Sequence, residues 1–190
     1  MKLGVVILVG GASSRMGADK AALSWNGRSA VERLAALAHG LDADRVLTAG
    51  GGEHGLERVD DPEPGGGPVS GIVAGIAALR LTGHGRVLVL AVDAPTVRAD
   101  DLEPLLASSS PGAAYDGVNL PLVMDIVATP GDAGPGWAVG RLIERARLTR
   151  LACPPGATGR LRGANTPDER DRLLAELVEA ECAAKGGAVC

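Results

Sequence analysis

A chain of 190 residues has the length of one ordinary domain, with enough material to bury a core. Its 19 basic and 23 acidic residues leave a net charge of −4, which excludes the global positive field that non-specific nucleic-acid binding relies on. Any anion must be gripped locally, and no apolar run reaches membrane-spanning length.

The run at residues 3–9 is apolar without alternation, as in a central parallel strand covered on both faces. Its lysine and small residues imitate a signal peptide, but the apolar part is short and an anion-binding loop accounts for residues 10–20, so a buried first strand in a cytoplasmic protein is expected. A helix is predicted over residues 29–39, with Ser29 as cap, Glu32 in the capping-box position and Gly40 as the stop. Strands come next at 44–50 and around 57–59. An irregular glycine- and proline-rich loop then feeds an apolar helix at 69–81. The clearest strand, RVLVLAV, stops at Asp93-Ala94-Pro95. Beyond it we expect a helix at 99–107, strands at 113–115 and 120–128, a helix at 137–147 and a strand at 148–152. The final helix spans 167 to about 185, capped by Thr166 with Pro167 first and Glu169 in the capping-box place. Strands alternating with helices predict a single three-layer α/β domain around a mostly parallel sheet. Its nucleotide half is expected at about 1–97 and its acceptor half at about 98–166.

Cys153, Cys182 and Cys190 are odd in number and show no C-x-x-C spacing, which argues against a disulfide framework or a zinc site. His39, His54 and His84 lie beside glycines at predicted helix ends or in loops and are given no chemical role.

The chemistry concentrates in LVGGASSRMGADKAAL, residues 8–23, where a glycine-rich turn after a strand also carries Arg15 and Lys20. A guanidinium and an ammonium there fit an anionic ligand. A Walker A loop requires lysine directly after glycine, but Ala18 and Asp19 separate Gly17 from Lys20. The loop also imitates that of short-chain dehydrogenases, which need a tyrosine four residues before a lysine. The single tyrosine, Tyr115, is followed at that distance by Asn119.

The stretch resembles the signature L-A-G-G-x-S-x-R-M-G-x-D-K of nucleotidyltransferases that use a nucleoside triphosphate, and it is most similar to the molybdenum cofactor guanylyltransferases. Leu8, Gly10, Gly11, Ser13, Arg15, Met16, Gly17, Asp19 and Lys20 match, with Val9 in place of alanine. Downstream, GPVSG, ending at Gly71, resembles G-P-L-A-G; VLAVDAP resembles V-x-x-C-D-x-P; and GANTPDE resembles N-x-N-T-P-E-E.

This resemblance implies a Rossmann-like nucleotidyltransferase fold and transfer of GMP from GTP to the phosphate of molybdopterin, with release of pyrophosphate. The backbone of Leu8, Val9, Gly10 and Gly11 is expected to meet base and ribose. Amides around Ser13 and Ser14 are expected to face phosphate oxygens, and Arg15 and Lys20 to take the β and γ phosphates. Asp93, at the carboxyl end of a central strand, is expected to hold magnesium with Asn165. Asp61 matches an aspartate that helps hold the nucleotide. Thr48 stands where asparagine is common, and Gly163 replaces the first asparagine of its motif. Glycine at position 10 favours GTP over CTP, because the cytidylyltransferases carry alanine there. A nucleophile already ionised at neutral pH needs no general base. Alternatives are cytidylyl transfer to the same acceptor, transfer to a sugar phosphate or phospholactate, and a non-catalytic nucleotide-binding protein. The implied partners are small molecules, with transient contact to molybdenum-cofactor enzymes and none to nucleic acid or membrane.

Overall fold

The computed structural model describes residues 1–10, 21–61, 63 and 65–184, so the segment 11–20 of the signature lies outside the described residues. In chain order the elements begin with β1 (Leu3–Leu8), a short hairpin of β2 (Ser24–Trp25) and β3 (Arg28–Ser29), and α1 (Ala30–Gly40). Next come β4 (Arg45–Ala49), β5 (Glu57–Val59), α2 (Pro68–Leu81), β6 (Arg86–Ala91) and α3 (Ala99–Leu106). The second half holds β7 (Gly112–Tyr115), β8 (Val118–Asp125), a 3-10 turn (Ile126–Ala128), α4 (Val139–Arg145), β9 (Thr149–Leu151), α5 (Thr158–Arg162) and α6 (Pro167–Ala184).

Seven strands form one sheet in the order β5-β4-β1-β6-β8-β7-β9. β1 pairs in parallel with both β4 and β6, β4 with β5, and β7 with β9, while β8 runs against both of its neighbours. The mostly parallel three-layer arrangement expected from the sequence is the one found.

Why β1 lacks alternation is visible in the packing. Val5, Ile7 and Val9 enter one core with residues of α1, α3 and α6, whereas Val6 and Leu8 enter a second core with residues of α2 and α4. β6 divides likewise, Leu88 and Leu90 to the first and Val87 and Val89 to the second. A strand buried on both faces has no side to leave polar. With no phenylalanine in the chain, Tyr115, Met124 and the branched aliphatics are the largest side chains less than 2% exposed.

α1 starts as expected: the Ser29 hydroxyl accepts from the Glu32 N–H at 3.2 Å, and the Glu32 carboxylate accepts from the Ser29 N–H at 2.7 Å. The hairpin before it was not expected, although Asn26 and Gly27 at φ 51° and 81° form the type of turn that Asn-Gly favours. α5 was also missed. The helix expected at 137–147 is confined to Val139–Arg145. The strand expected at 120–128 starts earlier, at Val118, and gives way to the 3-10 turn after Asp125. Cys182, near the end of α6, is disulfide-bonded, a cross-link the cysteine spacing did not suggest, while Cys153 is a free thiol.

Among the described residues no helix is long and apolar enough to cross a membrane.

Candidate active site

From β1 the chain moves to β4 and β5 on one side of the sheet, and only with β6 does it return to the other side of β1. The reversal opens a crevice beyond the carboxyl ends of β1 and β6, the place where open α/β sheets bind ligands. The two loops that leave these ends are the signature loop and the loop that carries Asp93. They are tied at their roots, because the Val92 N–H donates to the Leu8 carbonyl at 3.1 Å and the Val9 N–H donates to the Ala49 carbonyl at 3.0 Å.

Leu8 and Val9 are each 7% exposed, so their side chains belong to the core and only their backbone reaches the crevice. Gly10 is exposed and lies against the turn after β4; a methyl group on it would meet Gly50 Cα at 3.5 Å, an ordinary contact. Gly11, Ser13, Ser14, Arg15 and Lys20 lie outside the described residues. The segment re-emerging from that loop is well anchored. The Glu181 carboxylate of α6 accepts from Arg33 and from Asn26, each at 2.6 Å, and Arg170 donates to the Ser24 carbonyl at 3.0 Å.

Thr48 does not reach the crevice. It is wholly buried within β4, its hydroxyl directed to the Glu57 carbonyl at 3.4 Å, because strand alternation turns it into the sheet interior one residue short of the mouth. Asp61 is half-buried, and its carboxylate accepts from the Glu63 N–H at 3.1 Å and from the Ser70 hydroxyl. It thereby fastens the loop after β5 to the first turn of α2. Gly71 lets that helix close on the strands: a Cβ there would stand 3.2 Å from Ala49 Cβ and 3.4 Å from Leu8 Cδ2.

The best-defined juxtaposition is between Asp93 and residues 163–165. The Ala164 N–H donates to the Asp93 carbonyl at 2.8 Å. Gly163 adopts φ 68° and ψ −169°, a region open essentially to glycine alone, and a Cβ on it would overlap the Asp93 carbonyl oxygen and stand 2.5 Å from the Asp93 carbonyl carbon. The glycine that replaces the family's asparagine is therefore what lets the two backbones touch. Asn165 follows Ala164 and is exposed. The Glu169 carboxylate accepts from the Asn165 N–H at 2.8 Å and the Thr166 N–H at 3.0 Å, completing the capping box with Thr166. The Asn165 N–H, with the Thr166 N–H behind it, holds the Glu169 carboxyl below its ordinary 4.5 against a smaller opposing effect of burial.

Asp93 and Asn165 together offer one carboxylate and one amide oxygen. Among the described residues no group of three His, Cys, Asp or Glu side chains could enclose a metal ion. That donor set fits a magnesium ion, which keeps several waters and completes its shell with substrate phosphates, and does not fit zinc.

Sequence reading found little between 97 and 160. The structure shows there a braced rim on the same side of the sheet. Arg150 donates to the Tyr115 carbonyl at 2.7 Å and to Asn119 Oδ1 at 3.0 Å, fixing the β7–β8 turn. Arg160 grips the buried Asp101 carboxylate at 2.6 and 2.9 Å. From the far side, the Gly136 N–H donates to the Gly66 carbonyl at 2.8 Å, joining the loop before α4 to the glycine loop before α2. A basic residue in the middle of a predicted strand was the available signal for Arg150; the partner of Arg160 was not legible.

A model of the MobA-like NTP transferase domain matches residues 5–153. The chain belongs to this family. It is 38% identical to a probable molybdenum cofactor guanylyltransferase of Deinococcus radiodurans, over 93% of this chain and 86% of that protein. It is 29% identical to the molybdenum cofactor guanylyltransferase of Xanthomonas euvesicatoria, over 90% of this chain and 94% of the relative. In fold it resembles a nucleotidyl transferase from Methanothermobacter with a TM-score of 0.70, at 14% identity, over 94% of this chain and 99% of that one.

Proposed function

We propose that this MobA-like NTP transferase moves GMP from GTP to the phosphate of molybdopterin and releases pyrophosphate. The observation that carries the reading is the meeting, at the switch point of the sheet, of the signature loop's root with Asp93 and with the segment that presents Asn165.

The backbone of Leu8 to Gly10 borders the crevice and is suited to base and ribose. Gly10 bears on which base is used. A methyl group there is tolerated by the protein itself, so its effect falls on the room left for a ligand, in keeping with glycine for a purine. Arg15 and Lys20 supply positive charge to the β and γ phosphates and to the departing pyrophosphate. Asp93 and Asn165 hold magnesium, which when bound neutralises charge around the α phosphate. An oxygen of the acceptor phosphate forms the new bond to the α phosphorus as the bond to the β-phosphate oxygen breaks, and pyrophosphate leaves with that electron pair. No proton has to move, because the attacking oxygen is already ionised, so catalysis lies in positioning two polyanions in line. The reaction belongs in the cytoplasm, and its product passes to enzymes that use the cofactor.

The test is pyrophosphate release with magnesium, molybdopterin and each of the four nucleoside triphosphates. GTP should be the preferred donor, and release should require the acceptor. Asp93→Asn should lower turnover by about a hundredfold or more while the fold persists, the scale of losing one preorganised electrostatic group. Preference for CTP would move the reading to cytidylyl transfer, and no release with any of the four would leave a nucleotide-binding protein.

A further inference from the structure

We infer that Arg162 is the grip for the acceptor's phosphate, a role that rests on the guanylyl-transfer reading. Arg162 is the last residue of α5 and directly precedes Gly163, whose backbone abuts the Asp93 peptide. The side chain is exposed, and its Nη2 lies 3.9 Å from where a Cβ on Gly117 would stand. Gly117 is in the turn joining β7 to β8. In the register of the sheet, Leu122 of β8 faces both Val89 of β6 and Ala114 of β7, so this turn rises at the same end of the sheet as Asp93. The Arg162 guanidinium therefore stands over the antiparallel side of the crevice, across Asp93 from the carboxyl end of β1.

Neighbouring arginines are committed elsewhere. Arg160 is neutralised by Asp101, and Arg150 braces the β7–β8 turn. Among the described residues Arg162 makes no ion pair, although the peptide after it is fixed against Asp93 by the Ala164 hydrogen bond. A cation so held, with its charge unspoken for, suits a dianionic phosphate that must approach an already crowded triphosphate. A guanidinium fork matches two phosphate oxygens at once, which an ammonium does not. During transfer one acceptor oxygen bonds to the α phosphorus and pyrophosphate leaves; the remaining oxygens stay ionised and available to Arg162.

The experiment measures KM for molybdopterin and for GTP, with kcat, in wild type, Arg162→Ala, Arg162→Lys and Arg147→Ala. Arg147 comes after α4 at the opposite end of the sheet and controls for the loss of one positive charge. Arg162→Ala should raise the acceptor KM by about 10- to 100-fold, the scale of one charge-assisted hydrogen-bonding group. The GTP KM should stay within about threefold, and Arg162→Lys should recover part of the loss. Arg147→Ala should behave as wild type. An unchanged acceptor KM in Arg162→Ala, or equal rises for both substrates, overturns the assignment. Thermal melting of each variant separates a local effect from unfolding, and a rise in acceptor KM that tracks lost stability also overturns it. If wild type itself releases no pyrophosphate from GTP and molybdopterin, it is the underlying reaction that fails.

Discussion

Asp93 meets the segment 163–165 through its peptide, whatever its carboxylate binds. Its carbonyl receives the Ala164 N–H, and Gly163 lies so close that no side chain fits between them. Gly163→Ala must therefore push Asp93 and Asn165 apart, in a backbone region that alanine scarcely enters. We expect the variant to melt at a lower temperature, by the equivalent of about 1–3 kcal/mol for the strained backbone, and to lose a larger share of turnover than of stability. Calorimetry and pyrophosphate release on the same preparation check this, and a variant with wild-type turnover would separate Gly163 from the site. The place of Asp93 just beyond a buried strand was legible because the unbroken apolar run stops there. The reason for glycine at 163 was not legible, since it lies in a contact with a residue far away in the chain. The burial of the Thr48 side chain was not legible for a related reason: resemblance gives a position in a motif, while alternation along β4 decides which way the side chain faces.

Among the elements, α2 shows how sequence and packing meet. A Cβ on Gly75 would lie 2.5 Å from Val6 Cγ2 and 3.0 Å from Val6 Cγ1, so the helix approaches β1 closely only because that position lacks a side chain. Gly75→Ala should cost about 1–3 kcal/mol in urea unfolding as an overpacked core position. Gly40→Ala, where nothing lies within 4 Å of an added Cβ, should be neutral or stabilising by up to about 1 kcal/mol. Equal effects would show that α2 can shift to make room. At α6 the expectation concerns pH. The Glu169 carboxyl sits below its ordinary 4.5 because it accepts the Asn165 and Thr166 N–H groups. A depressed folded value means that its stabilisation is present above the unfolded value and lost as pH falls through the folded one. The Asn165 and Thr166 amide resonances should therefore titrate together at acid pH below about 4.5, and Glu169→Gln should abolish that titration. Amide shifts that do not track Glu169 would detach the cap from the asparagine proposed as a metal ligand. Both caps were legible from residue spacing. The two-residue strands β2 and β3 and the five-residue α5 were not, because elements so short carry no period and owe their form to tertiary contacts.

For the whole molecule, the governing fact is that one seven-stranded sheet takes strands from both halves of the chain. The alternation of strands and helices made that class legible. The reversal of β8 was not, because strand direction depends on which edge of the sheet the chain returns to. A shared sheet with cores on both faces should unfold as one unit, so a ligand held by the first half should stabilise the second equally. The two tryptophans report on opposite faces: Trp25 belongs to the core with α1, α3 and α6, and Trp137 to the core with α2 and α4. Single-tryptophan proteins made by Trp137→Phe and Trp25→Phe therefore give independent views of melting. GTP at a hundred times its Kd adds about 2.7 kcal/mol to the unfolding free energy, which for a chain of this size is a rise of about 5–10 °C in Tm. The rise should be the same by either probe within each variant, even though the substitutions themselves shift the baseline Tm. A GTP-induced rise seen by Trp25 and absent by Trp137 would mean that the halves unfold separately, and that the sheet joins them without making them one cooperative unit.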